Sequence, residues 1–214
     1  MAIVQIPLLG RARRSAGEMT FTKWKDKNVL KNKASQVSNP NTVNQQMRRA
    51  MFAYLVAAAR QFLPVLDLGF IAYRNTMSQF NAFIKYNYGV YVTTGTAPAF
   101  NIVDVALLIS KGPLTPTVPA TVVATNGSAT VSMTFATGTT APDQASTDKA
   151  YAVWLNQDTG DYAYQLTPTL RSSGTIAGTL NGNATTGDVI NGYLFFMRSD
   201  NSIASDTEVL QLTV

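Results

Sequence analysis

Basic and aromatic side chains alternate near the start of the chain, in a pattern that could follow a nucleic-acid backbone. The segment from Met19 to Leu30 reads MTFTKWKDKNVL and places lysines beside Phe21 and Trp24. On a β-ribbon the lysines would neutralise phosphates while the aromatic rings stack on bases. Alternatively, the lysines form the solvated face of a hairpin with an Asp26-Lys27-Asn28 turn, and the aromatic side packs on the rest of the protein. The pattern leaves both interpretations open.

The candidate interface or polyanion-binding residues are the basic positions of the first 50 residues together with one tryptophan. They are Arg11, Arg13, Arg14, Lys23, Trp24, Lys25, Lys27, Lys31, Lys33, Arg48 and Arg49. Arg48 and Arg49 lie early in a predicted helix, away from the C-terminal end where the helix dipole would favour them. They are therefore either solvated, or they face an anion or a partner's carboxylate.

The chain contains neither cysteine nor histidine. Their absence excludes disulfides, Cys/His zinc sites and nucleophilic systems that depend on imidazole or thiol. No glycine-rich phosphate-binding motif is present either. We therefore predict a protein that is not an enzyme, with no catalytic residue, no cofactor and no metal. A hydrolase built from carboxylates is the remaining catalytic class, and it would require two acidic residues that converge in a deep pocket.

The carboxylates that lie closest together in the sequence are Asp143, Asp148, Asp158 and Asp161. Asp158 and Asp161 bracket Gly160, which is a loose match to an oxygen-ligand calcium loop. The spacing of acidic and amide residues that defines such loops is missing. We therefore predict that these residues form turns.

Charge divides the chain into two opposite halves. Residues 1–111 carry 14 basic and 4 acidic side chains, whereas residues 112–214 carry 3 basic and 8 acidic ones. Such an asymmetry favours a polyanionic partner, or head-to-tail packing of copies in which the basic end of one meets the acidic end of the next.

The segment from Asn39 to Gly89 predicts two amphipathic helices. Thr42 and Gln45 have the spacing of a capping box at the start of the first helix. Pro64 is expected to end or kink that helix, and Gly89 to stop the second. Their apolar stripes either form ordinary core against a sheet or form an interface with another chain.

After Gly89 the apolar residues alternate, which predicts strands. We expect a domain boundary at Gly112–Pro113, with a basic arm, hairpin and helical domain over 1–112 and a β-sandwich over 113–214. The predicted strands cover residues 90–94, 100–110, 121–125, 128–135, 150–156, 162–167, 174–180, 189–197 and 208–214. Tyr151, Trp154, Phe195 and Phe196 are the expected bulky core. The fold class is α+β, with a sandwich of the immunoglobulin or fibronectin type III kind.

The N-terminus does not have the pattern of a targeting signal, because the apolar run from Ala2 to Leu9 is short, contains Pro7 and precedes the basic residues. No apolar run approaches the roughly 18 residues of a membrane helix. We expect a protein made in a bacterial host cytoplasm, without a signal peptide and without a membrane partner.

Several short motifs resemble an uncharacterised family of Bacteroidota proteins and their phages. The matching residues are Gly10-Arg11, Phe21 to Lys27, Ser38 to Thr42, Gln45, Arg48, Gly69-Phe70, Phe80 to Phe83, Tyr86-Asn87 and Ser110 to Leu114. The resemblance covers the first half of the chain well and the sandwich in outline. It implies a bacterial or phage setting and a non-catalytic role, and it supplies no functional residues.

Together these features predict a non-enzymatic structural or assembly protein, most specifically a bacteriophage virion component such as a capsid-associated, collar or tail subunit. Its expected partners are copies of itself and other virion proteins, which it would contact through the basic arm and helices. The alternative is a protein that binds nucleic acid through the basic N-terminal half.

Overall fold

The computed structural model describes residues 2–3, 14–24, 27–33, 40–88 and 107–214. The chain divides into two compact units, Met1–Asn41 and Thr42–Val214. The first contains strands and the second contains helices and antiparallel sheets. The predicted α+β class is therefore confirmed.

The strands of the first unit are β1 (Ala2–Ile3), β2 (Arg14–Ala16), β3 (Met19–Trp24) and β4 (Lys27–Asn32). They form a four-stranded antiparallel sheet with the order β1-β4-β3-β2. Strands β3 and β4 form the predicted hairpin, in which Trp24 is opposite Lys27 and Lys23 is opposite Asn28. The prediction of an Asp26-Lys27-Asn28 turn is wrong, because Lys27 and Asn28 pair with β3 as the start of β4.

The second unit begins with helix α1 (Val43–Gln61), and the predicted capping box is present at its start. The Thr42 hydroxyl accepts the Gln45 amide at 3.4 Å, and the Gln45 side chain accepts the Thr42 amide at 3.3 Å. Helix α2 (Leu63–Gly69) follows after one residue, with Pro64 in its first turn. The proline therefore ends the first helix as predicted, because it cannot donate the amide hydrogen bond that would continue it.

The second predicted helix is divided in the structure, which corrects the expectation of two helices. After α2 come a 3-10 turn (Ile71–Tyr73) and helix α3 (Gln79–Asn87), whose first turn is capped by Ser78. The division coincides with a tight contact at Gly69. A Cβ atom there would lie 2.3 Å from the carbonyl oxygen of Ile109, so only glycine allows the chain to pass so closely.

The rest of the second unit contains two antiparallel sheets. The three-stranded sheet has the order β10-β6-β5, and the five-stranded sheet has the order β12-β11-β7-β8 with β9 also paired to β7. The strands are β5 (Pro119–Ala124), β6 (Thr130–Phe135), β7 (Lys149–Asn156), β8 (Tyr162–Tyr164), β9 (Thr169–Leu170), β10 (Thr175–Thr179), β11 (Val189–Met197) and β12 (Glu208–Thr213). The seven strands predicted between residues 121 and 214 are confirmed, while the immunoglobulin or fibronectin kind of sandwich stays a prediction.

The five-stranded sheet is buried on both faces. One face of β7 and β11 packs on the three-stranded sheet through residues that include Trp154, Leu194 and Phe196. The opposite face packs on the helices through residues that include Tyr151 and Phe195. The four aromatic residues predicted as core are all buried. The apolar stripes of the helices face this sheet, with Leu55, Phe62, Phe70 and Phe83 fully buried, which is the core interpretation of those stripes.

Residues 107–110, predicted as the end of a strand, are not part of one. Their backbone amides are bound by side chains instead. Thr207 Oγ1 accepts the amides of Ile109 and Ser110 at 3.0 and 2.8 Å, and Asn87 Oδ1 accepts that of Leu108 at 2.8 Å. The predicted strand at 90–94 and residues 100–106 of the other lie outside the described residues.

The domain boundary predicted after Gly112 lies inside the second unit and stays a prediction. Within the described part of the chain, no single helix is long and apolar enough to cross a membrane. Helices α1 and α2 reach that length and composition only as a pair, and they are bent by 88° at their junction.

Candidate interaction site

An open groove lies between α1 and α3, and we call it the α1–α3 groove. Its volume is about 730 Å³. Its lining residues are Arg48, Arg49, Phe52, Ile84, Lys85 and Tyr88. Helical geometry explains this lining, because residues three or four positions apart share one side of a helix. Residues 48, 49 and 52 therefore line one wall, and residues 84, 85 and 88 line the other.

The groove combines positive charge with exposed aromatic surface. Phe52 is 48% exposed and Tyr88 is 39% exposed, although both are large apolar side chains. Arg48, Arg49 and Lys85 are also exposed, and none of the six described lining residues is acidic. Aromatic residues and arginine are enriched at protein interfaces, where aromatic anchors and arginines contribute much of the binding energy.

The Lys85 ammonium is held beside an aromatic ring of its own helix. Its Nζ lies 5.3 Å from the centre of the Tyr86 ring, within the range of a cation–π contact. The ring of Tyr86 packs in turn against Phe70 and Tyr73, with centroids 6.3 and 5.1 Å apart. The contact with this aromatic cluster therefore restricts the position of the Lys85 ammonium group.

The structure brings together two of the predicted site residues, Arg48 and Arg49, and adds Lys85 to them. Sequence reasoning missed Lys85, because its proximity to Arg48 depends on how α3 packs on α1 and not on local spacing. The apolar stripe at Phe83 and Ile84 was the available signal, since it indicates which side of α3 is buried.

The other predicted site residues belong to the first unit. Lys31 and Lys33 are exposed. In the register of the hairpin, Lys23 is opposite Asn28 and Trp24 is opposite Lys27. Arg14 lies in β2, and Arg11, Arg13 and Lys25 are outside the described residues.

The aspartates singled out in the sequence each have a local structural partner. Asp143 accepts the Thr115 amide at 2.6 Å, and this hydrogen bond holds the pKa of Asp143 below its usual value. Asp158 accepts the Val189 amide at 2.7 Å, and Asp161 accepts the Thr159 hydroxyl at 2.8 Å. Asp148 pairs with Arg171. Within the described ranges, no group of three or more acidic, histidine or cysteine side chains could hold a metal ion.

A family model matches residues 11–210 of the chain. The match spans both the first unit and nearly all of the second. The chain belongs to DUF6266, a family of unknown function. Neither a curated protein nor a solved structure matches the chain. The function of this DUF6266 protein must therefore be argued from its own surfaces.

Proposed function

We propose that this DUF6266 protein is a non-enzymatic structural or assembly protein, most specifically a bacteriophage virion component such as a capsid-associated, collar or tail subunit. It is made in the host cytoplasm, contacts copies of itself and other virion proteins, and has no membrane partner. The phage setting rests on the resemblance of the N-terminal motifs to proteins of Bacteroidota and their phages. The second unit would then display a sandwich of the immunoglobulin or fibronectin kind.

The α1–α3 groove is the observation that carries the assembly role. Phe52 is about half exposed, whereas Leu55 of the same helix is fully buried. Full burial of such a side chain contributes about 1.5–3 kcal/mol, so burying the exposed half beside the arginines would contribute roughly half of that. A partner that covers the groove would recover that free energy and bring carboxylates to Arg48 and Lys85.

The assembly role is tested by measuring the mass of the full-length chain by light scattering, over a range of protein concentrations and from about 0.05 to 1 M salt. We expect assemblies larger than the monomer that become smaller as salt rises. The variant Phe52→Asp should weaken assembly at least about tenfold, since it replaces the exposed apolar side chain of the groove wall with a charged one. Leu63→Asp is the matched control, because Leu63 is 42% exposed and is not among the groove's lining residues.

A monomer at every concentration and salt would contradict self-assembly. The same would follow if Phe52→Asp and Leu63→Asp had equal effects, because the groove would then have no special role. Circular dichroism and thermal unfolding of both variants ensure that a lost assembly is not a lost fold.

Nucleic-acid binding is the second candidate function. It is favoured by two exposed lysines, Lys31 in β4 and Lys33 directly after that strand. Lys31 and Lys33 would contact phosphates, so the affinity for DNA should fall by nearly one power of salt concentration for each contact. The double variant Lys31→Glu/Lys33→Glu should reduce the slope of this dependence by about two. A dependence that is flat in salt would exclude this function.

A further inference from the structure

At one end of the five-stranded sheet, the charged side chains of the described strands and loops are all acidic. Asn156 of β7 is opposite Ile190 of β11 at this end, and the loops that leave these strands contain Asp158, Asp161 and Asp188. We call these three aspartates and their loops the acidic end. Residues 150–170 and 172–197 contain no lysine or arginine.

The basic residues of the same half of the chain lie at the other end of the sheet. Lys149 is opposite Met197 in the register of β7 and β11, and Arg198 follows directly. Leu170, which precedes Arg171, is also opposite Lys149. The acidic end is therefore separated from these three cations by the length of strand β7, which is about 25 Å at 3.3 Å per residue.

Hydrogen bonds hold the acidic end in one conformation. Asp188 Oδ2 accepts the Asn156 side-chain amide at 2.7 Å and the Thr185 amide at 2.9 Å. These donors lower the pKa of Asp188, so its carboxyl is ionised at neutral pH. The Asp158 carboxylate is fixed by the Val189 amide at 2.7 Å. Asp188 is buried and supports the loops from inside, so a partner would meet the exposed Asp158 and the half-buried Asp161 in loops that are already ordered.

The groove and the acidic end lie toward opposite ends of α1. Arg48 and Phe52 belong to its first half, whereas Gln61 lines a small cleft together with Gly160 of the acidic end. Arg48 and Gln61 are about 20 Å apart along the helix axis at 1.5 Å per residue. The acidic end therefore cannot enter the groove of its own chain, but it can enter the groove of another copy.

We propose that the α1–α3 groove receives the acidic end of a second copy of this chain, in a head-to-tail contact. Arg48, Arg49 and Lys85 complement the exposed Asp158 and the half-buried Asp161 in charge, while buried Asp188 adds negative charge behind them. Half-buried Val189 provides apolar surface beside the acids. Such a contact joins two different surfaces, so a pair of copies still has one free groove and one free acidic end for further copies. It generates a ring when the rotation closes and a filament when it does not.

This inference rests on the proposed assembly role and is tested by complementation. Arg48→Glu lowers the charge of the groove's three basic residues from +3 to +1 and keeps the acidic end, whereas Asp158→Lys reverses the exposed charge of the acidic end and keeps the groove. Each variant alone should assemble at least about tenfold more weakly than the unaltered chain. Mixed in equal amounts, they should form a dimer of about twice 23.1 kDa, because each supplies the surface that the other lacks. Light scattering at low salt measures both results.

Two matched variants control for the change of charge. Arg74→Glu alters an exposed arginine that is not among the groove's lining residues. Asp200→Lys alters an exposed aspartate at the other end of the sheet that also accepts a backbone amide, from Ser202 at 2.8 Å. Both should assemble like the unaltered chain. Should Asp158→Lys fail to fold, Asp161→Lys replaces it, since Asp161 accepts a side-chain hydroxyl and not a backbone amide.

The outcomes separate this inference from the broader proposal. If the unaltered chain assembles but the mixture stays monomeric, or if Asp158→Lys assembles normally, the head-to-tail contact is wrong and the assembly role stands. Loss of assembly in Asp200→Lys to the same degree would also overturn the contact, because any acidic residue would then serve. A monomeric unaltered chain would overturn both.

Discussion

The two faces of the five-stranded sheet are both buried, but they are covered in different ways. Toward the three-stranded sheet, β7 presents two small residues, Ala150 and Ala152, and then the large Trp154. Toward the helices the same strand presents Tyr151 and Val153, which are bulky. A second sheet requires a surface that matches its own regular spacing, whereas helices with large side chains can fill deeper gaps.

Two glycines leave room for large side chains where the five-stranded sheet packs on the three-stranded sheet. A Cβ atom at Gly178 of β10 would lie 2.6 Å from the ring of Trp154, and one at Gly192 of β11 would lie 2.4 Å from Met133. The indole therefore occupies space that a side chain would otherwise fill. On the helix side the packing is aromatic, with Tyr151 and Phe195 stacked at 5.4 Å. The comparison indicates that both layers belong to one folded unit.

The largest expected effect tests whether the two faces of the five-stranded sheet contribute equally to the free energy of unfolding. Trp154→Ala on the sheet side and Phe195→Ala on the helix side should each lower the free energy of unfolding by about 3–5 kcal/mol, because both side chains are fully buried. Denaturant unfolding measures the loss. Leu166→Ala, at a residue that is 43% exposed, should change it by less than about 1 kcal/mol. A small loss for Phe195→Ala alone would mean that the helices are only loosely attached to the sheet.

A buried ion pair distinguishes the sheet side. Arg171 Nη2 lies 3.3 Å from Asp148 Oδ2, both side chains are almost completely buried, and the guanidinium lies 3.9 Å from the centre of the Phe196 ring. Burial lowers the pKa of Arg171, and the adjacent carboxylate opposes that shift. Arg171 remains charged, so the Asp148 carboxylate is needed as its counter-charge.

Asp148→Asn should consequently destabilise the protein by about 3 kcal/mol, because it leaves the arginine buried without a counter-charge. The amide keeps an oxygen that can accept the Ala145 amide, which Asp148 binds at 2.8 Å, so the lost charge is the main change. The double variant Arg171→Met/Asp148→Asn should recover part of the loss, since it removes the unpaired charge. Equal losses in the single and double variants would show that packing around residue 171, and not its charge, is what matters.

Local patterns predicted much of this fold. The apolar stretch from Val189 to Met197 predicted the bounds of β11, and the spacing of Thr42 and Gln45 predicted the start of α1. Both are decided by neighbouring residues. The continuous apolar run of β11 was also a signal that both faces are covered, because a strand with one solvated face would alternate with polar residues.

Contacts between distant residues decided what the sequence could not predict. The break after Gly69 depends on the Ile109 carbonyl, 40 positions later. The sequence around Ile109 is typical of a strand, yet its amides are bound by Thr207. The candidate site is affected in the same way, since Arg48 was identified by its charge but its neighbour Lys85 follows only from helix packing.

Thr207 allows a test of whether side-chain hydrogen bonds hold the segment 107–110 in place. Its hydroxyl oxygen accepts the amides of Ile109 and Ser110 and donates to the Ser110 carbonyl at 3.1 Å. Thr207→Val keeps the shape but leaves two buried amides unpaired, so it should lower the free energy of unfolding by about 1–3 kcal/mol. Thr179→Val, at an exposed position of β10, is the control and should change little. If both substitutions are neutral, the segment at 107–110 is held by packing alone.

The smallest expected effect concerns a tyrosine pair on the helix side. A hydrogen bond from the Tyr73 hydroxyl to Tyr86, together with partial burial, raises the pKa of Tyr73 to about 12. Because the folded state favours the neutral phenol, this contribution to stability is complete below pH 10, the ordinary pKa of tyrosine, and is lost as the pH rises through about 12. Asp188 has the opposite pH dependence. Because its pKa is lowered in the folded state, its contribution to stability is present above the ordinary pKa of aspartate and is lost as the pH falls through the lowered pKa.

Tyr73→Phe should therefore cost about 1 kcal/mol near neutral pH, the contribution of one hydrogen bond, and progressively less above about pH 10. Denaturant unfolding of both proteins over this range measures the difference, and tyrosinate absorbance should lose its most basic transition in the variant. Tyr88→Phe is the control, since Tyr88 is exposed at the groove and should leave that transition in place. If the Tyr73→Phe difference stays constant to the highest pH at which the protein is folded, the cluster stabilises the helix side through ring packing alone, as Tyr151 and Phe195 do.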